Sequence, residues 1–186
     1  MPPVTALYAY LALLGLTAAE RGAELAISGR NARRMLARGG RETGKGLYAA
    51  MVAFHSVFLP MLALAAIARP APPSPWAWLA VLGALLAQGL RWWSVRTLGE
   101  RWSTRVVVVP GAPPVTGGPY RWLRHPNYLA VVLEMACLPL AWGLWRMAIL
   151  FTAGNAVILA FRIRDEERAL GPDWERAFAG KGRFLP

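Results

Sequence analysis

The sequence is poor in cysteine, histidine and charge. Of its 186 residues, one is cysteine, two are histidine, and 17% are charged. A single cysteine, Cys137, cannot form a disulfide within the chain, so the sequence predicts no disulfide framework. Two widely spaced histidines and one cysteine also predict that no protein-ligated metal site is present.

Acidic residues are scarce as well. Ten stand against 21 lysine and arginine residues, which gives a formal net charge of +11. The lysine and arginine residues are not interspersed among the apolar residues of a soluble core, and no nucleic-acid-binding motif is present. We therefore expect no nucleic-acid partner. Dinucleotide-binding GxGxxG, P-loop, GxSxG and HExxH motifs are also missing, which leaves soluble nucleotide folds and familiar hydrolases without support.

Long apolar runs dominate what is present, since 56% of the residues are hydrophobic. A bilayer core needs about 20 apolar residues in a helix. We therefore predict an all-α integral membrane protein, one domain over residues 1–186, with about five transmembrane helices. The predicted spans are Val4–Ala19, Gly46–Ala68, Trp76–Val95, Tyr128–Trp142 and Met147–Phe161.

The first and last of these spans carry further expectations. The first has no cation before its apolar run, so we expect a retained helix, continuing through residues 20–28, rather than a signal peptide. The last two are about 15 residues each, which predicts a short helical hairpin that is tilted or partly embedded.

Cation placement predicts the orientation. Nineteen of the 21 cations fall in three regions, 21–45, 91–124 and 162–186. Because cytoplasmic loops carry the excess of lysine and arginine, we place all three regions in the cytoplasm and the N-terminus outside. The proline-rich stretch 69–75 is then an external turn, and Thr97–Arg124 is an ordered cytoplasmic loop on the membrane face.

The segment "GGPYRWLRHPNYLAVVLE", residues 117–134, has the densest cluster of turn-forming and polar residues. Pro126 suits the first position of a helix, which would place His125 or Arg124 at its positive end, where anions bind. The same residues also fit an interfacial belt in which Arg124 reaches the headgroups and Tyr120 and Tyr128 anchor the helix. Composition alone leaves both interpretations open.

A second polar segment, "FRIRDEERAL", follows the last predicted span. Arg162 and Glu166 are four residues apart and share one helix face, with Glu167 adjacent. A guanidinium beside two carboxylates can hold an ammonium and a carboxylate group together. A solvated, salt-bridged helix end is the alternative.

Polar residues in or next to the predicted spans form the third group. Glu20, Glu24, Ser28 and Asn31 lie on one stripe of the first helix, and Glu134 lies inside the fourth apolar segment. A carboxylate at membrane depth is by default a functional candidate that requires a partner. His55 could pair with Glu134 or with this stripe, or it could be a structural histidine.

"GGPYRWLRHPNY", followed after a short hairpin by "FRIRDEERAL" and "WERAFAGKGRFLP", resembles the isoprenylcysteine carboxyl methyltransferase (ICMT) family of integral membrane enzymes, which use S-adenosylmethionine. The resemblance covers roughly residues 96–186. The segment "ERGAELAISGRNARRMLARGGRETGKGLYAAMVAFH" is similar to a bacterial branch of that family, whose members methylate alkylpyrones and alkylresorcinols. The resemblance implies a lipidic acceptor, with spans 1–95 on the substrate side and a cofactor-binding catalytic region at 96–186.

The resemblance also implies roles for individual residues. Arg162 would contact the substrate. From the residues themselves we add Glu20, Glu24 and His55 as substrate-binding candidates, and Arg162, Glu167 and Glu134 are the catalytic candidates. Cofactor contacts would come from Pro114, Val115, Tyr120, His125, Pro126, Asn127, Tyr128 and Glu166. Ala130 stands where members of the family often have glycine.

The implied reaction is a methyl displacement by an oxygen of the acceptor. A carboxylate acceptor is ionised at neutral pH and needs only an orienting cation, whereas a phenol or hydroxypyrone needs a base or a nearby positive charge. Two other functions are weighed against this one. The membrane sterol reductases, which bind NADPH, also resemble the C-terminal pattern, and a small transporter or assembly factor is a non-enzymatic alternative.

Overall fold

The computed structural model describes residues 3–69 and 75–184 of the chain. Five α-helices and two short strands make up the described fold. The helices are α1 (Pro3–Ala37), α2 (Lys45–Ala68), α3 (Ala77–Leu98), α4 (Pro126–Ala141) and α5 (Trp145–Ala177), and the strands are β1 (Arg41–Thr43) and β2 (Val106–Val108).

All five predicted apolar segments lie in helices, and the first continues as one helix far beyond its apolar part. α2 and α5 are long and apolar enough to cross a membrane, and α4 is a shorter apolar helix. The spans predicted in α1 and α3 remain predictions. Most of the proline-rich stretch 69–75 falls outside the described residues.

The final helix extends well beyond its predicted apolar span. α5 has 33 residues, because "FRIRDEERAL" continues the helix with strong helix formers. Only at Gly171, with φ 75° and ψ −171°, does the backbone leave the helical conformation. Pro172 then begins one further turn, since a proline at the start of a helix loses no hydrogen bond.

The prediction of an all-α fold missed one feature, a short antiparallel strand pair. Arg41 pairs with Val108 and Thr43 with Val106, so the α1–α2 connection is joined to the long loop after α3. Strands of three residues carry little periodic signal, and β1 in addition is bracketed by Gly40 and Gly44. The rest of that loop is irregular apart from two short 3₁₀ turns at Gly99–Arg101 and Gly118–Arg121, as its glycines and prolines predict.

The main hydrophobic core lies at the end of the helices away from this loop. It joins α1, α2, α4 and α5 through Tyr10, Phe58, Leu62, Leu138 and Phe151, among others. The Tyr10 hydroxyl donates to the Leu138 carbonyl at 3.0 Å, which satisfies a polar group that would otherwise be buried without a partner. The core thus fixes the distal ends of the helices, and a space remains between their loop-side halves.

Candidate active site

A cavity of about 1070 Å³ occupies that space. All five helices and the loop between α3 and α4 contribute to its wall. Eleven of the residues selected from the sequence line it: Glu24, His55, Pro114, Val115, Tyr120, His125, Asn127, Tyr128, Glu134, Arg162 and Glu166. Three others, Glu20, Pro126 and Glu167, are not among the lining residues.

Tyr128 connects the two polar segments in this cavity. Its hydroxyl donates a hydrogen bond to Glu166 Oε2 and accepts one from Arg162 Nε at 3.1 Å. Arg162 and Glu166 therefore lie on one face of α5, as their spacing predicts, with the Tyr128 hydroxyl between them. Because Pro126 begins α4, Tyr128 stands on its first turn and faces α5.

Arg162 is buried and only partly satisfied. Its Nη2 donates to the Thr104 carbonyl at 2.5 Å, and its Nη1 has no hydrogen-bond partner among the described residues. No carboxylate of the described chain forms an ion pair with it. A buried guanidinium with a free donor can bind an anionic oxygen inside the cavity.

The loop that carries Thr104 is attached to the polar stripe of α1. The Thr104 amide donates to Ser28 Oγ at 2.9 Å, and Asn31 Nδ2 donates to the Trp102 carbonyl at 2.9 Å. Tyr48 of α2 contributes a hydroxyl contact of 3.2 Å to Thr104 Oγ1. Ser28 and Asn31, the C-terminal part of the stripe, therefore position the loop whose Thr104 carbonyl orients Arg162.

His125 lies beside Tyr128 in the cavity wall, with the two ring centres 5.3 Å apart. Its Nε2 donates to Glu167 Oε1 at 3.1 Å, and its ring lies 5.5 Å from the Trp174 ring, centre to centre. Arg183 donates to both oxygens of Glu167, at 3.0 and 2.5 Å. Glu167 thus stands behind His125 and connects it to the C-terminal segment.

The backbone of the C-terminal segment strengthens this connection. The Arg124 amide donates to the Gly182 carbonyl at 3.0 Å and the His125 amide donates to the Arg183 carbonyl at 3.3 Å. Hydrogen bonding to Glu167 raises the pKa of Arg183. Separately, burial raises the pKa of Tyr120, so its hydroxyl stays protonated at neutral pH. The segment holds His125 in place from outside the cavity.

Buried charges line the deeper part of the cavity. Arg91 Nη2 of α3 donates to Glu134 Oε2 of α4 at 2.8 Å, and Arg21 Nη1 lies 2.8 Å from Glu24 Oε2 on α1. Gln88 accepts hydrogen bonds from both guanidinium groups. We call Arg21, Glu24, Arg91 and Glu134 the buried ion cluster.

Glu20 and His55 lie beside the buried ion cluster with partners of their own. Glu20 accepts hydrogen bonds from Gln88 and from Trp92. His55 Nδ1 donates to the Met51 carbonyl at 2.8 Å. The structure therefore does not show the pairing of His55 with Glu134 that the sequence allowed, because Arg91 is the partner of Glu134.

Comparison with known proteins gives a consistent result. Residues 78–172, just over half of the chain, match the model of the isoprenylcysteine carboxyl methyltransferase (ICMT) family. The chain belongs to the ICMT family. The uncharacterized protein YpbQ of Bacillus subtilis (strain 168) is 35% identical over 159 residues, which cover 85% of this chain and 94% of YpbQ.

ICMT proteins are methyltransferases and integral membrane proteins, in agreement with the two apolar helices α2 and α5. The family match covers α3, α4 and most of α5, and so includes Tyr128, Arg162 and Glu166. It does not extend to α1, α2 or Arg183.

Sequence reasoning missed two charged residues of this ICMT-family site, Arg21 and Arg91. Arg91 lies inside a predicted span, and an arginine there requires a carboxylate partner, just as Glu134 requires a cation. The ion pair between Arg91 and Glu134 could therefore have been predicted from the sequence. No comparable signal identifies Thr104, because its contribution is a backbone carbonyl.

Proposed function

We propose that the protein is an S-adenosylmethionine-dependent O-methyltransferase that methylates an oxygen of a lipidic acceptor, with its active site facing the cytoplasm. The observation that carries the proposal is the Tyr128–Arg162–Glu166 arrangement in a cavity that also reaches apolar residues of α1 and α2, including Leu25, Val52 and Leu59. One cavity thus offers polar contacts for a soluble methyl donor and an apolar surface for a lipid chain.

The residues present fit the donor. S-adenosylmethionine has an ammonium, a carboxylate and an adenine, and when bound it supplies a methyl group made electrophilic by its sulfonium. Glu166 would hold positive charge, and the buried Asn127 Oδ1, which has no partner among the described residues, would accept a hydrogen bond. Tyr120, His125 and Tyr128 would form the adjoining wall, and the backbone of Pro114 and Val115 would contact the adenine.

Arg162 would orient the reacting oxygen of the acceptor. Its positive charge and its unpaired Nη1 favour an anionic oxygen, which suits a carboxylate and also lowers the cost of ionising a phenol or hydroxypyrone. The apolar part of the wall limits access of water to the reacting atoms. Glu167 contacts His125 and Arg183 rather than the cavity, which supports a positioning role for it.

The acceptor class is tested by incubating the purified protein with labelled S-adenosylmethionine and a panel of prenylcysteine, alkylresorcinol and alkylpyrone acceptors. We expect label to appear in a lipid product of one class. The similarity of the N-terminal half to enzymes of long-chain phenolic compounds favours the resorcinol and pyrone acceptors.

The donor is tested by equilibrium binding of S-adenosylhomocysteine and of NADPH. Family membership favours the methyltransferase over both alternatives, so we expect binding of S-adenosylhomocysteine. Glu166→Gln is expected to weaken that binding at least about tenfold, because it removes a charged hydrogen-bond acceptor. Glu175→Gln makes the same change at an exposed position of α5 and is the control. Binding of NADPH alone would contradict the proposal.

A further inference from the structure

The deep part of the cavity contains polar groups that the proposed methyl transfer does not use. His55 and the buried ion cluster all line the cavity. Glu134 is six residues beyond Tyr128 on α4, a rise of about 9 Å along the helix axis. A methyl-accepting oxygen held by Arg162 and Tyr128 would therefore be at some distance from these groups.

His55 presents a hydrogen-bond acceptor of fixed identity. A backbone carbonyl can only accept, so the contact of Nδ1 with the Met51 carbonyl places the imidazole proton on Nδ1. Nε2 then carries the lone pair of the neutral ring. This nitrogen has no hydrogen bond with any described residue, although it is not enclosed, and it can accept a proton donor from a ligand.

The buried ion cluster determines the charge that such a ligand can carry. Its two guanidinium groups face two carboxylates of the cluster, and Glu20 lies 3.8 Å from Arg21 as a third, so the cluster leaves no guanidinium without a carboxylate partner. An additional buried anion, such as a phenolate, would have to be desolvated without a counter-ion, which is costly. Arg21 Nε and Glu24 Oε1 are buried without a hydrogen-bond partner among the described residues, and Arg91 Nε lies 3.8 Å from Glu24 Oε1.

We propose that His55 and the buried ion cluster form a second polar subsite, which binds an uncharged hydroxyl group of the lipidic acceptor at a distance from the oxygen that is methylated. The inference rests on the proposed function for the nature of the acceptor. The hydroxyl donates to His55 Nε2. Two oxygens on one ring, each with a hydrogen bond of about 2.8 Å, can join protein atoms on the order of 10 Å apart.

The experiment is equilibrium binding of two probes in detergent micelles without a methyl donor. The probes are a resorcinol with one long alkyl chain and a phenol with the same chain, so they differ by one hydroxyl. We expect the unmodified protein to bind the resorcinol about tenfold more tightly, the effect of one buried hydrogen bond. Equal affinity, or no binding of either probe, would overturn the subsite.

Two variants of His55 separate recognition from structure. His55→Phe keeps a planar ring but removes the acceptor nitrogen, and it should reduce the affinity ratio to about one. His55→Gln retains an oxygen that can accept, and it should retain most of the ratio. Arg34→Lys, on an exposed arginine of α1, is the control and should leave the ratio unchanged.

The outcomes also distinguish this inference from the proposed function. A purely structural His55 would lower the affinity for both probes equally, and the ratio would survive in His55→Phe, which overturns the subsite. If the protein binds the two probes with equal affinity and methylates both, the subsite is ruled out and the proposed methyltransferase function stands. Failure of transfer and of S-adenosylhomocysteine binding would instead contradict the proposed function.

Discussion

Arg162 is the residue whose surroundings differ most from those of an ordinary buried arginine. Its described partners are two uncharged oxygens, the Tyr128 hydroxyl and the Thr104 carbonyl. Buried guanidinium groups normally pair with carboxylates, because an unpaired charge is costly to desolvate. The fold therefore maintains a guanidinium without a direct carboxylate contact beside the candidate donor site, with Glu166 reached only through the Tyr128 hydroxyl.

Arg162→Lys tests whether the planar guanidinium is needed. Lysine keeps the charge but cannot contact Tyr128, Thr104 and an acceptor oxygen at once. We expect turnover to fall about 100- to 1,000-fold, as when one preorganised donor is removed, with little change in S-adenosylhomocysteine affinity. Arg164→Lys, on the exposed face of the same turn, should leave both quantities unchanged. Unchanged turnover in Arg162→Lys would exclude the proposed role.

Arg91 and Glu134 give a prediction about stability at the residue scale. Both side chains are buried, so Glu134→Gln leaves a guanidinium with less compensation. We expect a loss of about 3–5 kcal/mol, read as a lower midpoint of thermal unfolding in detergent. The double variant Arg91→Met with Glu134→Leu removes both charges and should recover most of that loss. A double variant no more stable than Glu134→Gln would contradict the ion-pair account.

The site residues that belong to a local sequence motif could be predicted, whereas no local motif identifies their partners on other helices. The motif around Tyr128 and the spacing of Arg162 and Glu166 carry their own signals, and these three residues meet in the structure. Side-chain pairing between distant helices does not have such a signal. The sequence marks Glu134 and His55 as needing partners, but only the packing of α3 against α4 selects Arg91 for Glu134.

Among the structural elements, the 3₁₀ turn at Gly118–Arg121 depends on one glycine. Gly118 has φ 53°, and a Cβ there would overlap the Thr97 side chain on α3. Both the backbone conformation and the close approach require glycine. The turn places Tyr120 in the cavity wall, so the contact between loop and helix positions a candidate donor-binding residue.

Gly118→Ala is therefore expected to lower stability by about 1–3 kcal/mol and to weaken S-adenosylhomocysteine binding. Gly117→Ala is the matched control, because Gly117 has φ −83° and an added Cβ would meet no atom within 4 Å. The measurements are the free energy of unfolding and the S-adenosylhomocysteine affinity of both variants. Similar losses in both variants would show that the turn does not depend on this close approach.

Elements were predictable where the apolar pattern is long. α2 begins and ends within one residue of its predicted span, since apolar residues fill it throughout. The end of α5 was not predictable from hydropathy, because its last half is charged and is helical for reasons of propensity. The β1–β2 pair depends on contacts between segments more than 60 residues apart, which no local pattern encodes.

At the scale of the whole molecule, the location of the cavity follows from the arrangement of charge. The polar site is at the loop end of the helices, where the three basic regions of the sequence converge, and the apolar core is at the other end. Under the proposed function, a soluble donor would reach the site from the basic side and a lipid would enter laterally between helices. This arrangement requires that α5 cross the membrane between its two ends.

The single cysteine of the chain makes that requirement testable. In a Cys137→Ser background, Arg146→Cys places a thiol at the exposed start of α5 and Glu175→Cys places one near its exposed end. The part of α5 before the break at Gly171, residues 145–170, is about 39 Å long, which exceeds the thickness of a bilayer core, roughly 30 Å. A membrane-impermeant maleimide should label the thiol at position 146 in intact cells and the thiol at position 175 only after the membrane is opened, because the C-terminal cations favour the cytoplasm. Labelling of both thiols from one side would show that α5 does not cross the membrane, and the cavity would then open on a different face from the one proposed.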